Sequence, residues 1–426
     1  MGGKRTRQGQ PVLFHPAASL KGALSRGFCL VKSSNSTRSR PGWLNGTVLG
    51  VGLASLFSDL SHETATALLP AFLVAIGGSA AALGIIEGVS DAVSSFAKIG
   101  GGWWSDRMPR RKPLAVVGYI ITSLAVGSFA LAHNVWQVGI SRMIGWFGRG
   151  MRTPARKALL AGAVSREYYG RAFGLERAMD ETGGLLGAVA AALLVGFLSF
   201  RSIFLWTLVP GALAALAIAL LVREKERATI NKLSLAHSLR ELPDKFRRFL
   251  FGVALFGAGD FAKSMLILLA TLSLTPTLGT AKAASMALVL YILHKVFYMS
   301  CSYPTGHLGD HFDKRRLLAG SYALAAAMGL LLMFAPMNLS FLVVVFVLSG
   351  IYAAGQDALE DSLTAELVDE RQHGMAFGTL ATVNGVGDFF SSVVVGLLWT
   401  QFSPATAFGY ATLMFISGTM VIWRLK

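Results

Sequence analysis

The chain has 426 residues, of which 53% are hydrophobic and only 15% charged, with a formal net charge of +16. A soluble protein of this length carries about a quarter charged residues, so the composition places the chain among membrane proteins. The positive excess sits in short segments between apolar runs, which argues against nucleic acid as its partner. Cys29 and Cys301 lack any CxxC or metal-ligand spacing and carry no chemistry of their own.

In chain order, residues 1–41 contain no Asp or Glu and are rich in Arg, Lys and Ser. Three readings stay open: a disordered basic tail that associates with anionic lipid headgroups, an organelle transit peptide, or a myristoylated start at Met1-Gly2-Gly3-Lys4-Arg5-Thr6. Apolar runs of about 20 residues follow. They lie near 46–75, 80–104, 113–132, 136–158, 171–197, 202–222, 249–273, 283–305, 316–335, 339–364, 374–399 and 404–423. Twelve runs imply an all-α membrane protein. Residues 42–222 form a first six-helix bundle, 223–248 a cytoplasmic linker with an amphipathic piece, and 249–426 a second bundle.

Of the 39 Lys and Arg, 32 fall in the tail, the alternate connections and the C-terminus, all on one side. Six of these run from Arg149 to Arg171 around the connection of spans four and five. Only Arg201 and Lys282 fall on the other side, and Lys98, Arg142, Arg177, Lys263 and Lys295 lie within spans. Both termini are therefore expected in the cytoplasm.

Charges within spans cost roughly 2.5–3.5 kcal/mol each near the helix centre, so they face a partner or a water-filled path. Span one carries Asp59, His62 and Glu63 on one helical face, and span two carries Glu87 and Asp91. Span four carries Arg142, span seven Asp260 and Lys263, and span eight His294 and Lys295. These groups are expected to line a path between the halves, with Asp59, Glu63 and Asp91 taking protons or pairing with Lys263 and Lys295. Static salt bridges between helices are the alternative, and outward snorkelling is the alternative for Arg142. Asp59, His62 and Glu63 also offer oxygen and nitrogen ligands on one face, so metal handling stays open. Arg177 and Asp180 are expected to form a local pair.

A shift of 204 residues superimposes Gly102-Trp-Trp-Ser-Asp106 on Gly306-His-Leu-Gly-Asp310, Arg110-Arg111-Lys112 on Lys314-Arg315-Arg316, and Ala172-Phe173-Gly174 on Ala376-Phe377-Gly378. The same shift sets Asp91 on Lys295, and a shift of 201 sets Asp59 on Asp260. One frame spanning many helices implies two parallel halves related by an axis along the membrane normal.

The segments GGWWSDRMPRRK and GHLGDHFDKRR resemble the Gly-x-x-x-Asp-Arg-x-Gly-Arg-Arg loop motif of the major facilitator superfamily. The resemblance covers nearly all of the chain after residue 42. FSDLSHE, IEGVSDA, GRGMRTPARKALLAG and SYPTGHLGD are similar to bacterial members with poorly defined substrates. Pro109 replaces the usual Gly, His311 the usual Arg, and Lys157 stands where that group often has Asp. The resemblance implies a twelve-helix fold of two pseudo-symmetric bundles and a gate at Gly102, Asp106, Arg107, Arg110, Arg111, Gly306, Asp310, Lys314 and Arg315. It also implies that Arg142 matches a buried arginine associated with proton transfer or anionic cargo. Gly183-Gly-Leu-Leu-Gly187-Ala188 resembles an antiporter pattern in which Ala188 replaces Pro.

Secondary active transport of a small solute or ion follows as the leading expectation, with protons as coupling partner, membrane lipid as environment, no cofactor, and a functional monomer. Proton-coupled efflux of a drug or metabolite from a bacterial inner membrane stands first. Import of iron, another metal or an anionic chelate is the alternative, as is a membrane sensor or scaffold without turnover. An intracellular or organelle membrane stays open. No GxxxxGK loop and no nucleophile–base set is present, so an enzyme is not expected.

Overall fold

The computed structural model describes Gly2 and residues 42–77, 80–227, 233–334 and 338–425. The basic tail, apart from Gly2, and residues 228–232 of the linker lie outside the described residues. The first six spans are α1 (Gly46–Ala75), α2 (Ala80–Arg107), α3 (Lys112–Gly127), α4 (Val135–Gly162), α5 (Tyr169–Leu194) and the pair α6 (Phe200–Trp206) and α7 (Leu208–Leu221). A short helix, α8 (Leu235–Arg240), follows in the linker. The last six are the pair α9 (Asp244–Gly257) and α10 (Lys263–Leu278), then α11 (Thr280–His311), α12 (Lys314–Phe334), α13 (Leu339–Leu367), α14 (His373–Gln401) and α15 (Pro404–Trp423).

The packing repeats between the halves. α2 packs on α4 and α3 on α4 and α7, as α11 packs on α13 and α12 on α13 and α15. The halves meet through α2 against α14 and α5 against α11, which are equivalent seams. Seven spans among the described residues are long and apolar enough by themselves to cross a membrane. α1, α2, α4 and α5 are not among these seven. These four carry the buried charges Asp59, Asp106, Arg142, Arg152, Arg156, Glu176 and Asp180, so their hydropathy falls where polar side chains turn inward.

One end of the bundle gathers the basic connections and the described chain ends. Asn45 Nδ2 donates to Ala163 O at 2.8 Å, Arg111 N to Glu224 at 2.8 Å, and Arg315 Nη1 to Leu425 O at 3.0 Å. At the opposite end Arg201 donates to Ala132 O at 3.1 Å. Exposed Trp104 and Trp423 mark the interface level at the basic end, and Trp136 marks it at the other.

Two details depart from the sequence expectation. α4 runs on to Gly162, so Arg149, Arg152, Arg156 and Lys157, counted above with a loop, lie inside a helix. Span seven is not one helix: it breaks after Gly257, and Asp260 sits in the non-helical stretch before α10. Gly257 is packed against Gly387, and a Cβ at Gly259 would stand 2.7 Å from Ala411 O. Two glycines in three residues weaken the helix at a point where close neighbours need small residues.

Candidate transport pathway and gate

The repeated motif closes the basic end twice, by the same geometry. Asp106 accepts hydrogen bonds from the backbone N–H of Gly374 at 3.0 Å and Met375 at 2.7 Å, at the start of α14. Asp310 accepts from Gly170 N at 2.7 Å and Arg171 N at 3.0 Å, at the start of α5. Each carboxylate thus caps the positive end of a helix in the opposite half. Glycines make the approach possible. A Cβ at Gly102 would lie 2.2 Å from Gly374 O, and one at Gly306 would lie 2.0 Å from Gly170 O.

The basic residues of the motif divide by role. Arg111 is buried, donates to Asp106 at 2.7 Å and reaches Glu370 O in the other half at 2.6 Å. Arg107 lies over Trp103 at 4.4 Å and donates to Leu233 O in the linker at 3.0 Å. Arg110 is exposed and 3.8 Å from Glu226. Lys314 meets Glu366 at 3.0 Å, and Arg315 meets Asp313 and Leu425 O, all within one half. The hydrogen bonds from Arg315 hold Asp313, in the loop before α12, below the ordinary carboxylate pKa. Arg171, which the motif did not flag, adds a 2.8 Å ion pair to Asp310.

Three further ion pairs join the halves. Lys157 meets Asp361 at 2.6 Å, Arg177 meets Asp357 at 2.9 Å, and Lys295 meets Glu181 at 2.6 Å. Asp357 also accepts from the Tyr298 hydroxyl. Arg177 keeps the expected local pair with Asp180 at 3.0 Å. Asp180 lies 3.5 Å from Arg156, which meets Glu176 at 2.8 Å and Ser55 at 2.5 Å. A continuous ionic chain therefore runs from α13 through α5 to α4, and the hydrogen bond to Ser55 ties it to α1.

Nearer the middle of the bundle, Trp146 on α4 collects several of the groups singled out from sequence. The His62 ring lies 4.3 Å from its ring, the Arg142 guanidinium stacks at 4.3 Å, and its Nε1 donates to Asp91 at 2.7 Å. Arg142 is 3% exposed and donates to Thr66, so it turns inward instead of snorkelling. Asp59 meets Arg149 at 3.2 Å, and Arg149 also approaches Trp146, at 5.5 Å. Glu63 faces α5: a Cβ on Gly187 would stand 3.0 Å from its Cβ. The Glu87 side chain lies outside the described residues.

The expected pairing of Asp59, Glu63 and Asp91 with Lys263 and Lys295 is corrected. Lys263 meets Asp260 at 2.8 Å and the Tyr352 hydroxyl at 2.7 Å inside its own half, and Lys295 takes Glu181. Asp59 instead meets Arg149, a cation counted as a loop residue from sequence. His294 is held by Ser349 at 2.7 Å. No group of three His, Cys, Asp or Glu among the described residues is arranged to hold a metal ion. Asp59 and His62, on one face of α1, are engaged by Arg149 and by Trp146 with Thr66. Arg149, Arg152 and Arg156 were missed, although their i, i+3, i+7 spacing, which sets them on one helical face, was a readable signal.

Comparison with known proteins agrees with this architecture. The family model described as Major Facilitator Superfamily matches residues 51–262 and 249–426. An uncharacterised MFS-type transporter of Methanocaldococcus jannaschii is 27% identical over 89% of this chain and 95% of its own. The multidrug resistance protein MdtH of Escherichia coli is 24% identical over 72% of this chain and 75% of its own. The crystal structure of a bacterial homologue of the iron transporter ferroportin, in an outward-facing state, superposes with a TM-score of 0.73. It covers 89% of this chain and 99% of that one at 14% identity, a likeness of fold. With a capped, glycine-packed seam repeated in both halves and the family model matched along both, the chain belongs to the Major Facilitator Superfamily of membrane transporters.

Proposed function

We propose that this transporter is a proton-coupled exporter of small amphipathic organic solutes, drug-like or metabolic, that works by alternating access with its basic end in the cytoplasm of a bacterial cell. The observation that carries the reading is the wall built by α1, α2 and α4. There Asp59 pairs with Arg149 beside an aromatic platform, Trp146, which also holds His62, Asp91 and Arg142. Trp146 offers an apolar face to a cargo and the cations around it offer polar contacts. The Asp59 carboxylate can take a proton or, in place of Arg149, the cationic group of an amphipathic solute, so the two ligands of the site, proton and cargo, would exclude one another. Glu63, one turn away, has no hydrogen-bonded partner among the described residues and is the second candidate for the proton. The orientation is supported by the collection of Lys and Arg at one end, and the direction by likeness to MdtH.

The same groups favour a second reading in one respect. Buried Arg149 Nη1 has no hydrogen-bond partner among the described residues, which would suit an anionic solute moving inward with a proton. Proteoliposomes loaded with a pH-sensitive dye test both. A transported solute added on one side should move protons in wild type, in the direction opposite to the solute for export and in the same direction for import. Asp59→Asn and Glu63→Gln should each lower solute-driven proton movement by about tenfold or more while the protein stays folded. Solute flux that ignores an imposed pH gradient in wild type would sink the coupling proposal.

A further inference from the structure

On the outer surface at the basic end, between the start of α9 and the end of α15, lies a cavity of about 400 Å³. Its rim is cationic, with Lys245, Arg247, Arg248 and Arg424, and Phe251 and Val421 also line it. We propose that this cavity binds the phosphate headgroup of an anionic glycerophospholipid, with an acyl chain laid along Phe251 and Val421.

Two helices bring the cations together because they cross closely just beneath. A Cβ at Gly252 would stand 2.7 Å from Ile422 Cδ1, and one at Gly418 would stand 2.8 Å from Phe256 Cβ. The chain just after α15 is tied down where Arg315 donates to Leu425 O at 3.0 Å. Among the described residues no acidic one lines the cavity. Among the described residues only Arg247 of the four cations has an acid close by, Asp244 at 3.4 Å, and it also donates to Arg240 O. Lys245, Arg248 and Arg424 have no ion pair among the described residues. Like charges held together on a surface call for an anionic occupant.

The depth profile selects a lipid over a soluble anion. Phe251 is one turn below Arg247 and Arg248 along α9, and Val421 is about one turn below Arg424 on α15. Phe251 is 59% exposed, so most of its ring is left uncovered by the described residues. Trp423, 63% exposed and 6.0 Å from the Arg316 guanidinium, sits at the headgroup level beside the cavity. Cations at headgroup depth with apolar side chains one turn deeper match a phosphodiester joined to an acyl chain.

The test is native mass spectrometry of the full chain released from bilayers of equal phosphatidylglycerol and phosphatidylcholine. Wild type should retain phosphatidylglycerol in preference to phosphatidylcholine, and excess inorganic phosphate should not displace it. Arg248→Gln with Arg424→Gln removes two cations at an exposed site and should weaken that retention roughly 30-fold. Arg166→Gln, exposed elsewhere at the same end, should leave it unchanged. Lys245→Gln is a second, milder variant and should weaken retention several-fold, with an unfolding temperature matching wild type. Equal retention of both lipids, displacement by inorganic phosphate, or the same loss in Arg166→Gln would overturn the site. So would a double variant that retains the lipid as wild type does.

Discussion

Lys157 and Asp361 are 204 positions apart, the spacing of the repeat itself, and their side chains meet at 2.6 Å. Equivalent positions can touch only close to the axis that relates the halves, so this buried bridge lies on that axis. Identical acids there would repel, and a Lys in one half facing an Asp in the other removes the conflict. The departure at Lys157 noted in the sequence is thus answered by Asp361. Because both groups are buried, Lys157→Met or Asp361→Asn alone leaves a charge or dipole unpaired, at a cost of about 3–5 kcal/mol for loss of one partner. The exchange Lys157→Asp with Asp361→Lys keeps one charge of each sign at the axis. It should restore most of the thermal stability and transport that either single change loses. An exchanged protein as damaged as the single variants would show that the pair is not what the position requires.

At the scale of elements, hydropathy located the spans well because a membrane forces every crossing segment to be long, apolar and helical. Residues 46–75 and 404–423 are the expected and the observed bounds of α1 and α15. The break before Asp260 was not legible, because Gly and Ala keep the hydropathy high while the helix ends. The cations of α4 were misjudged because a charge count treats Arg as seeking water, whereas here Glu176, Asp180 and Asp59 from α5 and α1 meet it. Only packing of distant segments supplies those partners, so the site was legible residue by residue but not pair by pair. The glycine seam was legible, since Gly102 and Gly306 recur in the motif. A valine at Gly102 would place its Cβ on the Gly374 carbonyl and force α2 and α14 apart. Gly102→Val should destabilise the closed basic end by about 1–3 kcal/mol, read as faster labelling of a cysteine placed at Thr382. Labelling no faster than in a Thr382→Cys parent would argue that the seam is slack.

For the whole molecule, the polar contacts described between the halves lie in the middle of the bundle or at its basic end. Two carboxylate caps and Arg171–Asp310 hold that end shut, and three ion pairs deeper in the bundle join the halves below them. Alternating access requires these contacts to break together as the opposite end closes, since packed interfaces switch between discrete arrangements. Removing both caps, with Asp106→Ala and Asp310→Ala, weakens the shut arrangement. The most direct measurement is pulsed electron–electron spin distance in a chain whose Cys29 and Cys301 are replaced by serine. One spin-label pair, at Glu167 and Arg371, spans the basic end, and a second, at His133 and Ser340, spans the other. Alternating access through this gate predicts a single short distance at the basic end without the cap mutations. It predicts a longer second population with them, and a matching shorter population at the opposite end. Lengthening at the basic end with no change at the other, or no change at either, would contradict it.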